Sequence, residues 1–277
     1  MSLEKIAKQA EGLLSNQEKN VVANYKQKLR EIRETILEQY EQYGGKDGLA
    51  LDDMLKYDRI NKLDAKITSI LIKLYTENSK LTRNILRESY RKTYSNTINL
   101  ASNQSGKTIR GILKNVDVTE TINERMGGLK WIERYGRHRN ELIYKIQNEV
   151  KDGLQRGIPY TEMSKNLREA MEGDVIRPTT IMRTEGGRVT AKAQKNSLDH
   201  ADKQGVTMMK TWNTSKDERV RGQKETDQAD HVSMEGQTVP YNEPFILPDS
   251  TRADAPRLTG VAKHDINCRC FMTVEFT

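Results

Sequence analysis

The sequence predicts an α+β protein, with a mostly helical N-terminal two-thirds (a long helical hairpin plus short helices) and a small mixed α+β module at its C-terminal side. Three observations carry this expectation. Apolar residues recur at helical spacing through most of the first 200 positions, the period changes to alternation after Gly205, and Pro240, Pro244, Pro248 and Pro256 break the remaining stretch into loops. The composition agrees: 31% of residues are charged, 35% are hydrophobic and mean hydropathy is −0.81. Long solvated helices suit such a chain better than one deep core does.

Leu14, Val21, Tyr25, Leu29, Ile32, Ile36 and Tyr40 mark one face of a long amphipathic helix. Gly44-Gly45 should cap it, and Lys46-Asp47-Gly48 should continue the turn. Asp52 and Asp53 suit the first turn of a second helix, whose stripe is Ile60, Leu63, Ile67, Ile70, Leu74, Leu81 and Ile85, running toward Ile98. Residues 1–102 are therefore expected to be an antiparallel hairpin, with the mixed spacing of a small bundle rather than of a coiled coil. Residues 103–128 read as a connector with brief helical turns.

Residues 129–277 form the next region, helical over 129–200 and α+β over 201–277. Trp131, Tyr135, Leu142, Ile146 and Val150 lie on one helical stripe, Gly157-Ile158-Pro159 interrupts it, and a short helix is expected over 160–171. A further helix should come after Pro178 and reach about Asp199. Val206, Met208, Lys210 and Trp212 share one side of an extended run, and Phe271 to Phe276 is a second β-prone segment.

The net charge is +7, and the basic surplus lies before residue 200. Solvation of helix faces is the ordinary reading of such charge. The more specific one is weak, salt-sensitive DNA contact through Arg125, Lys130, Arg134, Arg137 and Arg139, with Trp131 and Tyr135 interleaved for stacking and Glu133 and Glu141 opposing. Positions 1–9 lack the apolar stretch of a signal peptide, and no apolar run has the length that a bilayer requires. The chain is thus expected to stay in the cytoplasm in which it is made. Cys268 and Cys270 are too close in sequence for an unstrained disulfide and should be reduced.

Four groups stand out after residue 180. Ile181-Met182-Arg183-Thr184-Glu185 with Arg188 sets Glu185 and Arg188 three apart on a helix, ordinarily a surface ion pair. Trp212, followed by Asp217, Arg219 and Arg221, is ordinarily a strand end leading into a charged turn. His231, with Gly236 after it, is ordinarily a freely titrating loop histidine. Asn267-Cys268-Arg269-Cys270 closes the series. In a regular strand its two sulfurs would face one side about 6.5 Å apart along the chain, too far to share a zinc ion without a bend. Packing of two small thiols is therefore favoured over a zinc site that also uses His231 and His264.

Taken together and in this order, the four groups resemble the head-morphogenesis family of tailed phages typified by the Mu protein F, also called the minor head protein family. The matching residues are Arg183, Thr184 and Glu185; Trp212, Asp217, Arg219 and Arg221; His231 and Gly236; and Asn267, Cys268, Arg269 and Cys270. Leu129 to Arg134 and Gly153 to Gly157 look like the region that precedes this domain in Gram-positive phage members, so the resemblance covers roughly residues 125–277. It implies a few copies in the capsid interior near the portal, with portal, scaffold and major capsid proteins as partners. It also implies roles in head assembly and, in some members, release with the DNA. The host cytoplasm is then the place of assembly.

No catalysis is expected. A metal-dependent hydrolase or nuclease using His231, Cys268 and Cys270 is the alternative, with Asp217 and His264 as further potential ligands. Against it, the sequence has no His-Glu-x-x-His pair, no Cys-x-x-Cys, no Gly-x-Ser-x-Gly elbow and no phosphate-binding glycine loop. No cofactor is expected, zinc excepted.

Overall fold

A computed structural model describes residues 2–44 and 48–277. The helices are α1 (Leu3–Tyr43), α2 (Leu51–Leu55), α3 (Arg59–Ser105), α4 (Asn115–Asn123), α5 (Trp131–Arg156), α6 (Tyr160–Asp174) and α7 (Ile176–Lys203). After them come β1 (Met208–Asn213), β2 (Thr238–Pro240), β3 (Phe245–Ile246), β4 (Arg252–Ala253), the short α8 (Ala262–Asp265) and β5 (Phe271–Phe276). The protein is therefore mostly helical with a small α+β module, as the periodicity predicts. The expected glycine cap is described only at Gly44, whose N–H reaches the Tyr40 carbonyl at 2.9 Å; Gly45, Lys46 and Asp47 lie outside the described residues.

Two compact units emerge, and neither is a contiguous block of sequence. One gathers residues 1–16, 83–131 and 182–277; the other gathers 17–82 and 132–181. The blocks 1–102, 103–128 and 129–277 expected from the sequence cut across them. The reason is length: α1 and α3 run for 41 and 47 residues, enough for each helix to contribute to both units.

The second unit is all helical. Val21, Tyr25, Ile32 and Ile36 of α1 are buried, as are Ile60, Leu63, Ile67, Leu71 and Leu74 of α3. Asn24 Nδ2 donates to Asn78 Oδ1 at 2.8 Å, and Tyr25 meets Tyr75 edge to face at 6.3 Å, which is the antiparallel pairing of the hairpin. The stripe expected from sequence needs correction at two places. Ile70 and Leu81 are only partly buried, while Leu71, Asn78 and Thr82 take the buried positions. The α3 stripe accepts polar residues because they find partners: Thr82 Oγ1 lies 3.0 Å from Tyr135 Oη of α5. Tyr25 and Tyr75 both donate to Asp174 Oδ2 of α6, at 2.8 Å each.

Helix α7 begins two residues before Pro178 rather than after it, and passes into the first unit at Met182. A proline is tolerated there because first-turn N–H groups have no intrahelical acceptor. Sheet order is β2-β1-β5, all antiparallel, with Trp212 opposite Met272 and Lys210 opposite Val274; β3 and β4 form a separate ribbon. Strand β1 alternates as expected, turning Met208, Lys210 and Trp212 inward. Lys210 is tolerated inside because its ammonium donates to the Asp254 carbonyl at 2.8 Å and lies over the Phe245 ring at 5.0 Å; burial pulls its pKa down. Leu198, Ala201, Trp212, Met234, Phe245, Leu247, Cys270 and Met272 share the module's core.

Candidate functional site

The site is assembled from β1, the loops after it, α8 and the approach to β5. Cys268 and Cys270 are not in a regular strand. Asn267 has a left-handed φ of 55° and β5 starts only at Phe271, so the chain bends where a straight strand would have held the sulfurs apart. The Asn267 N–H donates to Thr184 Oγ1 at 3.1 Å, which ties this bend to the Arg-Thr-Glu segment of α7. The geometric ground for preferring simple packing of the thiols is thereby removed.

Both sulfurs turn toward one atom. Nδ1 of His231 lies 3.7 Å from Cys268 Sγ and 3.6 Å from Cys270 Sγ, and the three ligand atoms lie within 4.8 Å of one another. His231 is no free loop histidine: it is 1% exposed, its N–H donates to the Arg221 carbonyl at 2.8 Å, and Trp212 packs edge-on against it at 5.6 Å. Its Nε2 lies 3.1 Å from Nδ1 of His264, whose Nε2 lies 2.9 Å from Asp249 Oδ2. His264 thus spends both nitrogens on His231 and Asp249, on the far side of the imidazole from the sulfurs. It is excluded as a direct fourth ligand, a role the sequence had left to it.

The charges result from this packing. The Cys270 thiol donates to Cys268 and, with His231 and Arg257 nearby, draws Cys268 well below the usual thiol range despite burial. The same bond and burial push Cys270 up, against a smaller opposing pull from Trp212 and Arg257. Asp249 is held far below the carboxylate range by bonds from Lys263, His264 and Thr251. Arg257 reaches this place because α7 has no side chain at Gly187, where a Cβ would sit 2.9 Å from Arg257 Cδ. Asp249 and Arg257 were not singled out from the sequence. Nothing local marks them, since each acts through residues distant in the chain.

The remaining motif residues form a frame around this cluster. Glu185 and Arg188 are buried, not a surface pair: Arg188 donates to Glu185 at 2.9 Å, to Glu124 at 2.6 Å and to the Thr121 carbonyl at 2.7 Å. Arg183 on the same helix is exposed. Arg269 points away from the thiols, donating to Glu11 at 2.8 Å and pairing with Asp217, which also holds Arg219 at 3.3 Å. Arg221 donates to the carbonyls of His264 and Ile266, bracing α8. Gly236, at φ 77°, donates its N–H to the Trp212 carbonyl at 2.9 Å and closes the turn into β2.

The basic segment is a different matter. Arg125 and Arg137 are exposed, and Lys130, Arg134 and Arg139 are partly so. Trp131 and Tyr135, expected to interleave with them for stacking, are buried at 0% and 2% exposure and offer no ring face to a base. The helical period that places basic groups outward necessarily turns these two rings inward.

Residues 144–273 match the family described as Phage Mu protein F like protein, a span that contains all four motif groups. The chain is 25% identical over 268 residues to minor head protein GP7 of Bacillus phage SPP1, covering 96% of this chain and 84% of that one. It is also 28% identical over 158 residues to an NAD(+)–arginine ADP-ribosyltransferase, EFV, of Enterococcus faecalis; that match covers 57% of this chain and 31% of the relative. No solved structure matches.

Proposed function

We propose that the chain is a Mu F-like minor head protein of a bacteriophage, a virion component that joins the head near the portal and acts in head morphogenesis. The observation that carries this reading is the extent of the similarity to GP7: it runs along almost the whole chain, so it includes the helical hairpin as well as the motif-bearing module. Portal, scaffold and major capsid proteins are the partners, the capsid interior is the destination and the host cytoplasm is the place of assembly. No helix among the described residues is long and apolar enough to cross a membrane.

Contact with packaged DNA is a secondary property of this reading. A net charge of +7 and the outward Arg125 and Arg137 support weak attraction to phosphates without sequence preference. Such attraction also suits a protein that leaves the head with the DNA. The hydrolase or nuclease alternative at His231, Cys268 and Cys270 is not favoured, because these three are 1%, 7% and 2% exposed and a substrate has no access to them. The Enterococcus ADP-ribosyltransferase shares under a third of its length with this chain, which supports a common region rather than a common reaction.

Co-assembly tests the proposal. Portal, scaffold and major capsid proteins expressed with the full chain should yield proheads that retain it through sedimentation at modest salt, and fewer proheads should form without it. A chain that stays at the top of the gradient while proheads assemble normally would overturn the reading. DNA binding by the full chain should weaken steeply as salt rises; binding insensitive to salt would remove the DNA contact from it.

A further inference from the structure

We propose that His231, Cys268 and Cys270 bind one thiophilic divalent ion, zinc, with His264 and Asp249 orienting the histidine ligand. His231 Nδ1 has a single lone pair, in the ring plane, yet two sulfurs converge on it at 3.7 and 3.6 Å. Cys270 donates to Cys268 and Cys268 faces that lone pair, so what points to a cation is the convergence itself: three buried ligand atoms of metal-binding type within 4.8 Å of one another. A cation placed between the three atoms satisfies all of them.

The distances fit such a cation. Zinc bonds of about 2.3 Å to sulfur and 2.0 Å to nitrogen, opened to the tetrahedral angle, place sulfur and nitrogen about 3.5 Å apart. The two observed separations are within a few tenths of an ångström of that edge. The bend at Asn267 gives the Cys-x-Cys pair a convergence that an extended strand would deny it.

The outer residues set the tautomer that a ligand needs. The Asp249 carboxylate can only accept, so the proton between it and His264 sits on His264 Nε2. One proton shared by the two imidazoles completes the chain when His231 Nε2 donates to His264 Nδ1. In that arrangement His231 turns an unprotonated Nδ1 toward the sulfurs, the tautomer a metal ligand needs. Binding makes two metal–sulfur bonds, and any proton still on a sulfur leaves to solvent. The chain supplies three ligands, and a water molecule takes the fourth position. The burial of all three protein ligands makes this a centre that locks the loop before β2 to the approach to β5. Such a centre is independent of the head-protein reading.

Cobalt and zinc titrations of the metal-stripped full chain test it. Cobalt should give a one-to-one complex with thiolate charge-transfer and tetrahedral visible bands, and zinc should displace it. Zinc should also shield Cys268 and Cys270 from alkylation; because these are the only cysteines in the chain, the wild type reports without any variant. Cys268→Ser and Cys270→Ser should each abolish the charge-transfer bands or weaken binding more than a hundredfold. Asp249→Asn should keep the stoichiometry and weaken affinity by about 10- to 100-fold. Wild-type protein that takes up no stoichiometric cobalt or zinc, or whose thiols alkylate equally fast with zinc present, would overturn the proposal. So would a complex that survives loss of both sulfurs.

Discussion

Each compact unit keeps a buried polar cluster, and the two clusters are built on different chemistry. In the all-helical unit, Tyr25 and Tyr75 close on one oxygen of Asp174, with Tyr135 edge-on to Tyr75 at 6.0 Å. Every partner is a hard oxygen, every bond is direct, and the cluster is complete as it stands. In the other unit, His231 faces two sulfurs and relays through His264 to Asp249, so that two soft thiols and an imidazole nitrogen converge. The contrast separates a cluster of oxygens that holds helices together from one whose three converging atoms are all of a type that metals bind. The four motif groups after residue 180 all lie in the unit that holds this second cluster.

The strongest way to break this contrast is at Glu185 and Arg188, the buried ion pair behind the second cluster. Replacing Arg188 with Ala should cost about 3–5 kcal/mol, because Glu185, at 0% exposure, would lose the guanidinium that balances its charge. Urea unfolding of the full chain would read this; a loss under about 1 kcal/mol would mean that water reaches the carboxylate. In the helical unit, Asp174→Ala should cost about 2–3 kcal/mol by stranding two buried hydroxyls, and Asp174→Asn less, since its amide oxygen still accepts. Equal losses for the two variants would show that charge rather than acceptance matters there.

Alkaline pH should separate the two units next. Burial raises the pKa of Tyr25 and of Tyr75, and takes Tyr135 to about 12. The unfolded chain releases these protons near pH 10 while the folded unit keeps them, so this stability is complete below about pH 10 and is lost as pH climbs toward and past 12. Tyr25→Phe should flatten that alkaline decline, as followed by circular dichroism, and an unchanged slope would sink the assignment. The smallest effects come from glycines of opposite sign. A Cβ on Gly186 would sit 2.3 Å from Leu14 Cδ2, so Gly186→Ala should destabilise by about 1–3 kcal/mol. Gly136 in α5 has open space, and Gly136→Ala should stabilise by about 0.5–1 kcal/mol. Thermal melts that moved the same way for both would refute the close-approach explanation.

Much of the fold could be read from the residues because it depends on local period. The alternation at Met208, Lys210 and Trp212 and the extent of β5 emerged as expected, since strand and core face are set within a few positions. What escaped was either polar or distant. Asn78 and Thr82 occupy a helix's inner face through partners that no apolar count reveals. The site's ligand types could be read from His231, Cys268 and Cys270, but their convergence depends on one left-handed residue at Asn267, and the orienting Asp249 is reached only through tertiary structure. A frequency rule for ion pairs on helices placed Glu185 and Arg188 at the surface; only the carbonyl of Thr121 and the carboxylate of Glu124, 67 and 64 positions before Arg188, explain why they are inside.

The bond between Glu11 and Arg269 spans 258 positions. During synthesis at roughly 5–20 residues per second, about 13–50 s must separate the appearance of the two partners at the ribosome. Through that interval the buried side chains of the first helical turns, Leu3, Ile6, Ala10 and Leu14, have no β5 approach or α7 notch to cover them. Closing so long a loop comes late in folding. The growing chain therefore passes through a stage in which these α1 side chains have at most their α3 neighbours to cover them, because the segments around Gly186 and Val274 are not yet made.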